Sequence, residues 1–224
     1  MKARTWDDLW QGADSRSLWA APDEGVVGLV PMLRGQGVRR VLDLGCGIGR
    51  HLVLLARSGF ETYGMDSSQR GIEHCRSLLT DQGLEADLSS GEMKSLPYRD
   101  SVFDFVLSWN VIYHGTWQEM TSVLKEVHRV LQSRGLFYLT LNSTRNSWCG
   151  KGTEVEPNTF GNPEKGDGQH LHHFSDEDDL TDLMSDWDIE NMEESEQAFS
   201  GNRQQGSWHW TILARKKDSH ITTA

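Results

Sequence analysis

Apolar residues along this chain fall into two patterns, short unbroken runs and longer stretches spaced by three and four. Val41-Leu42 leads into Asp43-Leu44, and glycines follow at 45, 47 and 49. Such a run predicts a buried parallel strand, and the glycines predict a tight turn where backbone comes close to a ligand. Leu52 to Ala56 continues as a helix closed by Gly59. Phe60 to Met65 predicts a second strand ending in Asp66, and Ser67 or Ser68 caps a helix through Ile72, Cys75, Leu78 and Leu79 to Gly83. Phe103 to Leu107 predicts a fourth strand. Thr116 to Gly135 predicts a helix with a Thr116/Glu119 capping box, and Met120, Val123, Leu124, Val127, Val130 and Leu131 form its apolar stripe. His128 lies off that stripe and reads as a solvated position. Leu136 to Leu141 predicts a fifth strand, and Ser175-Asp176-Glu177-Asp178 opens a helix with Leu180, Leu183 and Met184 inward. Trp187 to Met192 and Ser207 to Arg215 predict the last two strands; on the latter, Trp208, Trp210 and Ile212 share one side and His209, Thr211 and Leu213 the other.

Two regions lack this regularity. Residues 1 to 38 hold Trp6, Trp10, Trp19 and Leu29 to Leu33, which predict one or two short helices laid across the opening of the fold. Asn142 to His170 shows no period and is rich in Gly, Asn, Lys and Glu, with Pro157 and Pro163. A connection that long is either functional or a surface insertion. It follows the fifth strand, on the side where open α/β sheets hold their ligands, and reads as part of a cover over that side.

The glycine spacing bears on the ligand. A dinucleotide turn has its third glycine one residue later; here Arg50 occupies that place. Asp43 disfavours a pyrophosphate and suits a ligand carrying an ammonium group. About twenty residues past the turn, an acid at a strand end holds a ribose diol. Asp66 fits that role, and it also fits the bland one of a helix-capping acid.

Composition narrows the class. With 224 residues and 37% hydrophobic content, the chain fits one α/β domain. A formal net charge of -11 argues against nucleic acid as a main partner. No segment approaches membrane-spanning length, and Met1 to Trp6 lacks a signal-peptide run. The three cysteines, Cys46, Cys75 and Cys149, are scattered, which suits a reduced cytoplasmic chain. Cys46 reads as a small residue that fits the turn rather than a nucleophile.

Val41-Leu42-Asp43-Leu44-Gly45-Cys46-Gly47-Ile48-Gly49-Arg50 resembles motif I of the class I S-adenosylmethionine-dependent methyltransferases, of the methyltransferase type 11-like kind. Gly91 to Tyr98 and Phe103 to Ser108 resemble that family's Gly-Asp-x-x-x-Leu-Pro-Phe and Phe-Asp-x-Val-x-Ser blocks, with Glu92 replacing the usual Asp. The resemblance covers roughly residues 35 to 142. It implies a Rossmann-like α/β fold with helices on both faces of a seven-stranded, mostly parallel sheet. The implied strand order is 3-2-1-4-5-7-6, with an antiparallel last strand. A single domain over 1–215 is expected, with 1–38 as a helical cover, 142–174 as an acceptor-side loop and 216–224 as a flexible tail. The implied cofactor is S-adenosyl-L-methionine, leaving as S-adenosyl-L-homocysteine. Its expected contacts are Asp43, Gly45, Cys46, Gly47, Gly49, Asp66, Ser67, Glu92, Met93, Ser108 and Asn110.

The implied reaction is in-line displacement of the sulfonium methyl by an O, N, S or C atom of an acceptor. The protein then supplies position and a dry pocket. His114 is the candidate general base, with packing as its alternative role. Tyr113, His172 and His173 are candidate acceptor contacts. Trp6, Trp10 and Trp117 could wall in a cationic acceptor or serve only as packing. His170, His172 and His173 lack a partner at standard ligand spacing, so no metal is expected. The Asn/Asp-Pro-Pro-Tyr block of enzymes that methylate nucleobase or amide nitrogen is absent after Ser108. A small-molecule acceptor is therefore expected, with no nucleic acid or membrane partner and a monomeric or homodimeric state. A nicotinamide-dependent oxidoreductase and a non-catalytic S-adenosylmethionine-binding module are the rival readings.

Overall fold

A computed structural model describes residues 5–161, 170–199 and 202–218. In chain order the elements are α1 (Trp6–Gln11), α2 (Ala13–Leu18), α3 (Glu24–Gly35), β1 (Arg40–Leu44), α4 (Arg50–Arg57), β2 (Glu61–Asp66), α5 (Gln69–Asp81), β3 (Asp87–Ser90), β4 (Phe103–Ser108), α6 (Trp117–Val130), β5 (Leu131–Ser143), β6 (Thr153–Glu156), β7 (Thr159–Gly161), β8 (Leu171–Ser175), α7 (Glu177–Leu183), β9 (Trp187–Phe199) and β10 (Asn202–Lys216). Residues 219–224 of the expected tail and 162–169 of the expected loop lie outside the described residues.

The sheet runs β3-β2-β1-β4-β5-β10-β9, the expected seven-strand order. β10 is antiparallel to both neighbours, and the β3-β2-β1-β4-β5 pairs are parallel. Side chains alternate between faces along each strand, which divides the core. Leu42, Leu44, Phe137, Leu139 and Leu141 pack with the α6 stripe and with Leu180 and Leu183 of α7. Val41, Phe105, Leu107, Leu136 and Tyr138 pack against Val26 and Leu33 of α3 and Leu55 of α4. Among the described residues no helix is long and apolar enough to cross a membrane.

Four expectations need correction. The N-terminal region holds three helices rather than one or two. α6 stops at Val130, and β5 starts at Leu131 rather than Leu136. Leu131 takes an extended conformation with ψ 140° and pairs with Phe103, so Gly135 lies within the strand. A Cβ there would meet the Gln132 carbonyl at 2.9 Å, which marks it as a bend rather than a helix cap. His128 is half-buried, edge-on to Trp187 at 5.4 Å, and burial pushes its pKa down.

The segment expected to be an aperiodic loop forms β6, β7 and β8, which brings the sheet to ten strands. β8 pairs in parallel with Asn142 and Ser143 of β5. β10 already occupies the other edge of Asn142, so β8 takes the edge that β4 vacates after Ser108. Glu156 Oε1 accepts from the Trp117 amide at 2.5 Å and from Thr159 Oγ1 at 3.2 Å, which ties the hairpin to the start of α6. This small sheet is thereby fixed over the C-terminal ends of β4 and β5.

Arg129 joins α6 to the 96–100 turn. Its guanidinium donates to both oxygens of Glu126, to Asp100 Oδ1, and to the carbonyls of Tyr98 and Leu96. Arg129→Ala strands two carbonyls and a half-buried carboxylate. It is expected to cost about 2 kcal/mol, or ~5 °C in Tm at this chain length. Calorimetric melting checks this, and Arg129→Lys should recover little because the planar fork is lost.

Candidate cofactor and acceptor site

The turn after β1 is stitched to β2. The amides of Gly45 and Cys46 both donate to the Met65 carbonyl, at 2.7 and 3.0 Å. Gly45 has φ 77°, and a Cβ there would fall 2.4 Å from Val111, the residue that brings the loop after β4 onto the turn. Gly49 caps α4 in the left-handed region without a side-chain hydrogen bond. The N-terminal amides of α4 therefore have no cap from the side chain before them, the arrangement in which helix starts accept ligand atoms. Trp10 of α1 rests over Gly47 and Gly71, 3.0 and 3.2 Å from where their Cβ atoms would be.

Two carboxylates flank this turn. Asp43 is 2% exposed, and its Oδ2 has no hydrogen-bond partner. Burial pushes its pKa up to about 7, opposed by the Arg50 guanidinium. Asp66 Oδ2 accepts from the Gly47 amide and Oδ1 from the Ser68 amide, each at 2.8 Å. Burial also raises the Asp66 pKa, against those amides. Ser68 is the cap of α5, accepting from the Gly71 amide at 3.0 Å, and Ser67 is exposed beside Asp66. Asp7 of α1 accepts from Ser68 Oγ at 2.5 Å and from the Arg70 amide at 3.1 Å, which fastens α1 to the start of α5.

The remaining expected cofactor contacts divide. The Gly91 amide donates to the Asp66 carbonyl at 3.0 Å, so Glu92 and Met93 follow directly on a residue tied to Asp66. Glu92 is exposed, and Met93 is half-buried against the α6 core. The Ser108 hydroxyl is committed to the Leu44 carbonyl at 3.2 Å. Asn110 has φ 60°; its amide donates to Thr140 Oγ1 at 2.7 Å, and that hydroxyl donates back to Asn110 Oδ1 at 3.0 Å. Cys46 is buried, and the adjacent Cys75 thiol together with burial raises its pKa well above the usual range. That environment suits an inert packing residue.

Beyond the turn, aromatic rings gather. Tyr113 lies 4.5 Å from His114 and 5.7 Å from His209 between centroids, and His114 lies 4.6 Å from His172. Trp6 meets His114 edge-on at 4.8 Å and stacks on His170 at 4.3 Å. His173 is not in this group. Its neighbour His172 shares the chamber, but strand alternation turns His173 to the other face of β8. There Nδ1 bonds Thr159 Oγ1 at 2.8 Å, Nε2 meets Asp179 Oδ2 at 3.3 Å, and Trp117 lies 5.4 Å away. The expected acceptor contact by His173 is thus replaced by a buried anchor, and Trp117 goes with it. Trp6 and Trp10 alone of the expected wall stand at the crevice. Among the described residues, no group of three or more His, Cys, Asp or Glu side chains is placed to hold a metal ion.

Sequence reasoning missed His209 and Asn142. His209 was legible as the polar partner of Thr211 and Leu213 on one side of β10. What that side faces depends on Asn142, its register partner on β5.

Comparison with known proteins agrees with this geometry. Residues 41–135 match a family model described as a methyltransferase domain. An uncharacterised methyltransferase of Synechocystis is 30% identical over 110 residues, covering 49% of this chain and 50% of that protein. A ubiquinone biosynthesis O-methyltransferase of Ruegeria pomeroyi is 28% identical over 189 residues, covering 83% and 72%. The chain spans about half the length of several curated relatives it matches. A solved S-adenosylmethionine-dependent methyltransferase from Methanosarcina mazei superposes with a TM-score of 0.72 at 23% identity, covering 84% of this chain and 98% of that one. With a buried acid at the end of β1, a glycine turn closed to side chains and a second acid at the end of β2, residues 41–135 are similar to a methyltransferase domain, and the chain has the fold of the solved Methanosarcina S-adenosylmethionine-dependent methyltransferase.

Proposed function

We propose that the chain transfers a methyl group from S-adenosylmethionine to an O, N, S or C atom of a small-molecule acceptor. The carrying observation is Asp43, a carboxylate buried at the end of β1 with one oxygen unpartnered beside the glycine turn. A buried, half-satisfied carboxylate is costly unless a cation completes it, and the ammonium of the cofactor is such a cation. Asp66 suits the ribose diol, and the turn amides suit the cofactor's methionine end. Glu92 and Met93 suit the adenine edge. The cofactor supplies an already activated methyl group when bound. The chain's own task is then to hold the acceptor in line and exclude water.

Tyr113, His114 and His172 form the wall on which the acceptor rests. His114 takes the proton where the acceptor must lose one. The N-terminal helices act as a cover: Trp10 lies on Gly47 and Trp6 on His114. The β6–β8 segment completes the acceptor side. A small acceptor is supported by the acidic chain and by the named reaction of the Ruegeria relative. Three free cysteines suit a reducing, cytoplasmic setting.

Isothermal calorimetry with S-adenosylhomocysteine and a coupled homocysteine readout over oxygen, nitrogen, thiol and metalloid acceptors test this reading. Binding with turnover supports it. Binding without turnover on any acceptor turns it into a sensing module, and no binding removes it.

The Asp43 environment adds a pH signature. With its pKa raised to about 7, the acid is protonated in the empty fold below that value and charged above it. Its contribution to stability is therefore fully present below the ordinary carboxylate value of 3.8, falls as pH rises from there to about 7 and is level above that, the reverse of a salt-bridged carboxylate. Ligand ammonium needs the charged form. S-adenosylhomocysteine affinity is expected to climb by up to ~tenfold per pH unit on the acid side of about 7 and then level off. Asp43→Asn should flatten that slope, and an unchanged slope in the variant would remove Asp43 from ammonium binding.

A further inference from the structure

Asn142 is the penultimate residue of β5, at the strand end that meets β8. It is 1% exposed, and neither Oδ1 nor Nδ2 has a hydrogen-bond partner. Native chains rarely leave a buried carboxamide in that condition, since each unsatisfied group costs about 1–3 kcal/mol. Directly opposite residues of an antiparallel pair share a face, which gives the side on which Asn142 lies. Tyr138, Thr140 and Asn142 of β5 pair with Leu213, Thr211 and His209 of β10. Tyr138 and Leu213 pack on the α3 side, so Asn142 and His209 lie on that side at the C-terminal end of β5. His209 carries the face to Tyr113, and Thr140, two residues before Asn142, holds Asn110. Phe174 pairs with Asn142 from β8, and His172, two residues earlier, shares that side and reaches His114. The carboxamide thus stands among flat rings at the strand end where α/β folds bind their ligands.

We infer that Asn142 reads the acceptor, and that the acceptor is a planar nitrogen heteroaromatic with a donor and an acceptor on adjacent positions, as in a lactam edge. This rests on the methyltransferase reading for the name acceptor. A carboxamide presents one N–H and one carbonyl oxygen side by side, and it pairs bidentately with an edge of the complementary order. A lone hydroxyl satisfies one of the two buried atoms and leaves the other stranded. The rings of Tyr113, His172 and His209 select a flat body, because aromatic groups stack or meet edge-on at the separations seen here. His209 is itself oriented, its Nδ1 donating to the Ser207 carbonyl at 3.1 Å. Asn142 is here a specificity residue, and no bond is made or broken at it.

The test compares 2-quinolone with 2-naphthol, two bicycles of one shape that differ in a lactam edge against a single hydroxyl. Ligand-observed NMR titrations are run on the intact chain, with and without saturating S-adenosylhomocysteine. The wild type is expected to bind 2-quinolone at least ~10-fold tighter than 2-naphthol. Asn142→Leu, close in volume, should bring the two within ~2-fold while S-adenosylhomocysteine affinity is unchanged. Equal binding of the two probes to wild type overturns the inference, as does a preference that survives in Asn142→Leu. If that variant does not fold, the side-chain amide resonance of Asn142 in the wild type decides. A shift with 2-quinolone and none with 2-naphthol supports the assignment, and no shift with either overturns it. Loss of S-adenosylhomocysteine binding in wild type would count against the methyltransferase reading alone, since the probe comparison is also made without it.

Discussion

Replacing Asp66 with alanine is expected to weaken S-adenosylhomocysteine binding by at least ~100-fold, from the loss of two hydrogen bonds to a charged group at roughly 1.5–3 kcal/mol each. The same carboxylate also holds the fold locally, accepting the Gly47 and Ser68 amides at 2.8 Å each. A purely structural role would therefore lower affinity only through a misplaced turn, and the two causes need separating. Ser68→Ala supplies the comparison, because it removes the α5 cap and the contact to Asp7 while leaving the Asp66 carboxylate. It should cost about 1 kcal/mol of stability, as lost caps do, with little loss of affinity. Asp66→Ala should show the opposite weighting, with affinity falling far more than the urea midpoint. Calorimetric affinity that stays at the wild-type value in Asp66→Ala would remove the ribose assignment.

The parts of this molecule that were legible in the sequence are those whose signal is local. Val41 to Arg50 specifies strand, turn and helix within ten consecutive residues, and the structure follows it. The α6 and α7 starts were readable from Thr116/Glu119 and Asp176, whose side chains reach only three residues ahead. The end of α6 was not readable, because Leu131 continues the apolar stripe and would be buried as helix or strand alike. Its pairing with Phe103 decides the matter, and periodicity carries no record of a partner 28 residues away. β6 and β7 are four and three residues long, too short to show a period, and they exist through Glu156 on α6 and Phe160 against Phe174. The triplet around His172 read as one loop cluster. Once β8 forms on the vacated edge of β5, alternation sends its two neighbouring histidines to opposite faces. Asn142 means nothing alone; β8 and β10 give it its surroundings.

Gly49→Ala is expected to destabilise the chain by about 3 kcal/mol, of which ~1–2 is left-handed backbone strain and the rest crowding. The residue sits at φ 91°, and an added Cβ would come to 2.4 Å from Cys75 Sγ and 3.1 Å from Cys75 Cβ. Cys75 is wholly buried on α5, so the sulfur cannot swing into solvent to make room. Gly59 provides a matched control. Its φ is 86°, yet a Cβ there meets only Arg34 Nη2, at 3.9 Å. Gly59→Ala should therefore incur the backbone strain alone, ~1 kcal/mol, and leave cofactor binding intact. Adding Cys75→Ala to Gly49→Ala should relieve the sulfur contact, giving a favourable coupling of ~1 kcal/mol in a double-mutant cycle. The residual 3.1 Å approach to Cys75 Cβ keeps the double variant below Cys75→Ala alone. Urea midpoints at constant slope measure all four stabilities. Equal costs for Gly49→Ala and Gly59→Ala would show that α5 yields to the methyl group. In that case the third glycine of the turn is required by its backbone angle and not by the helix packed against it.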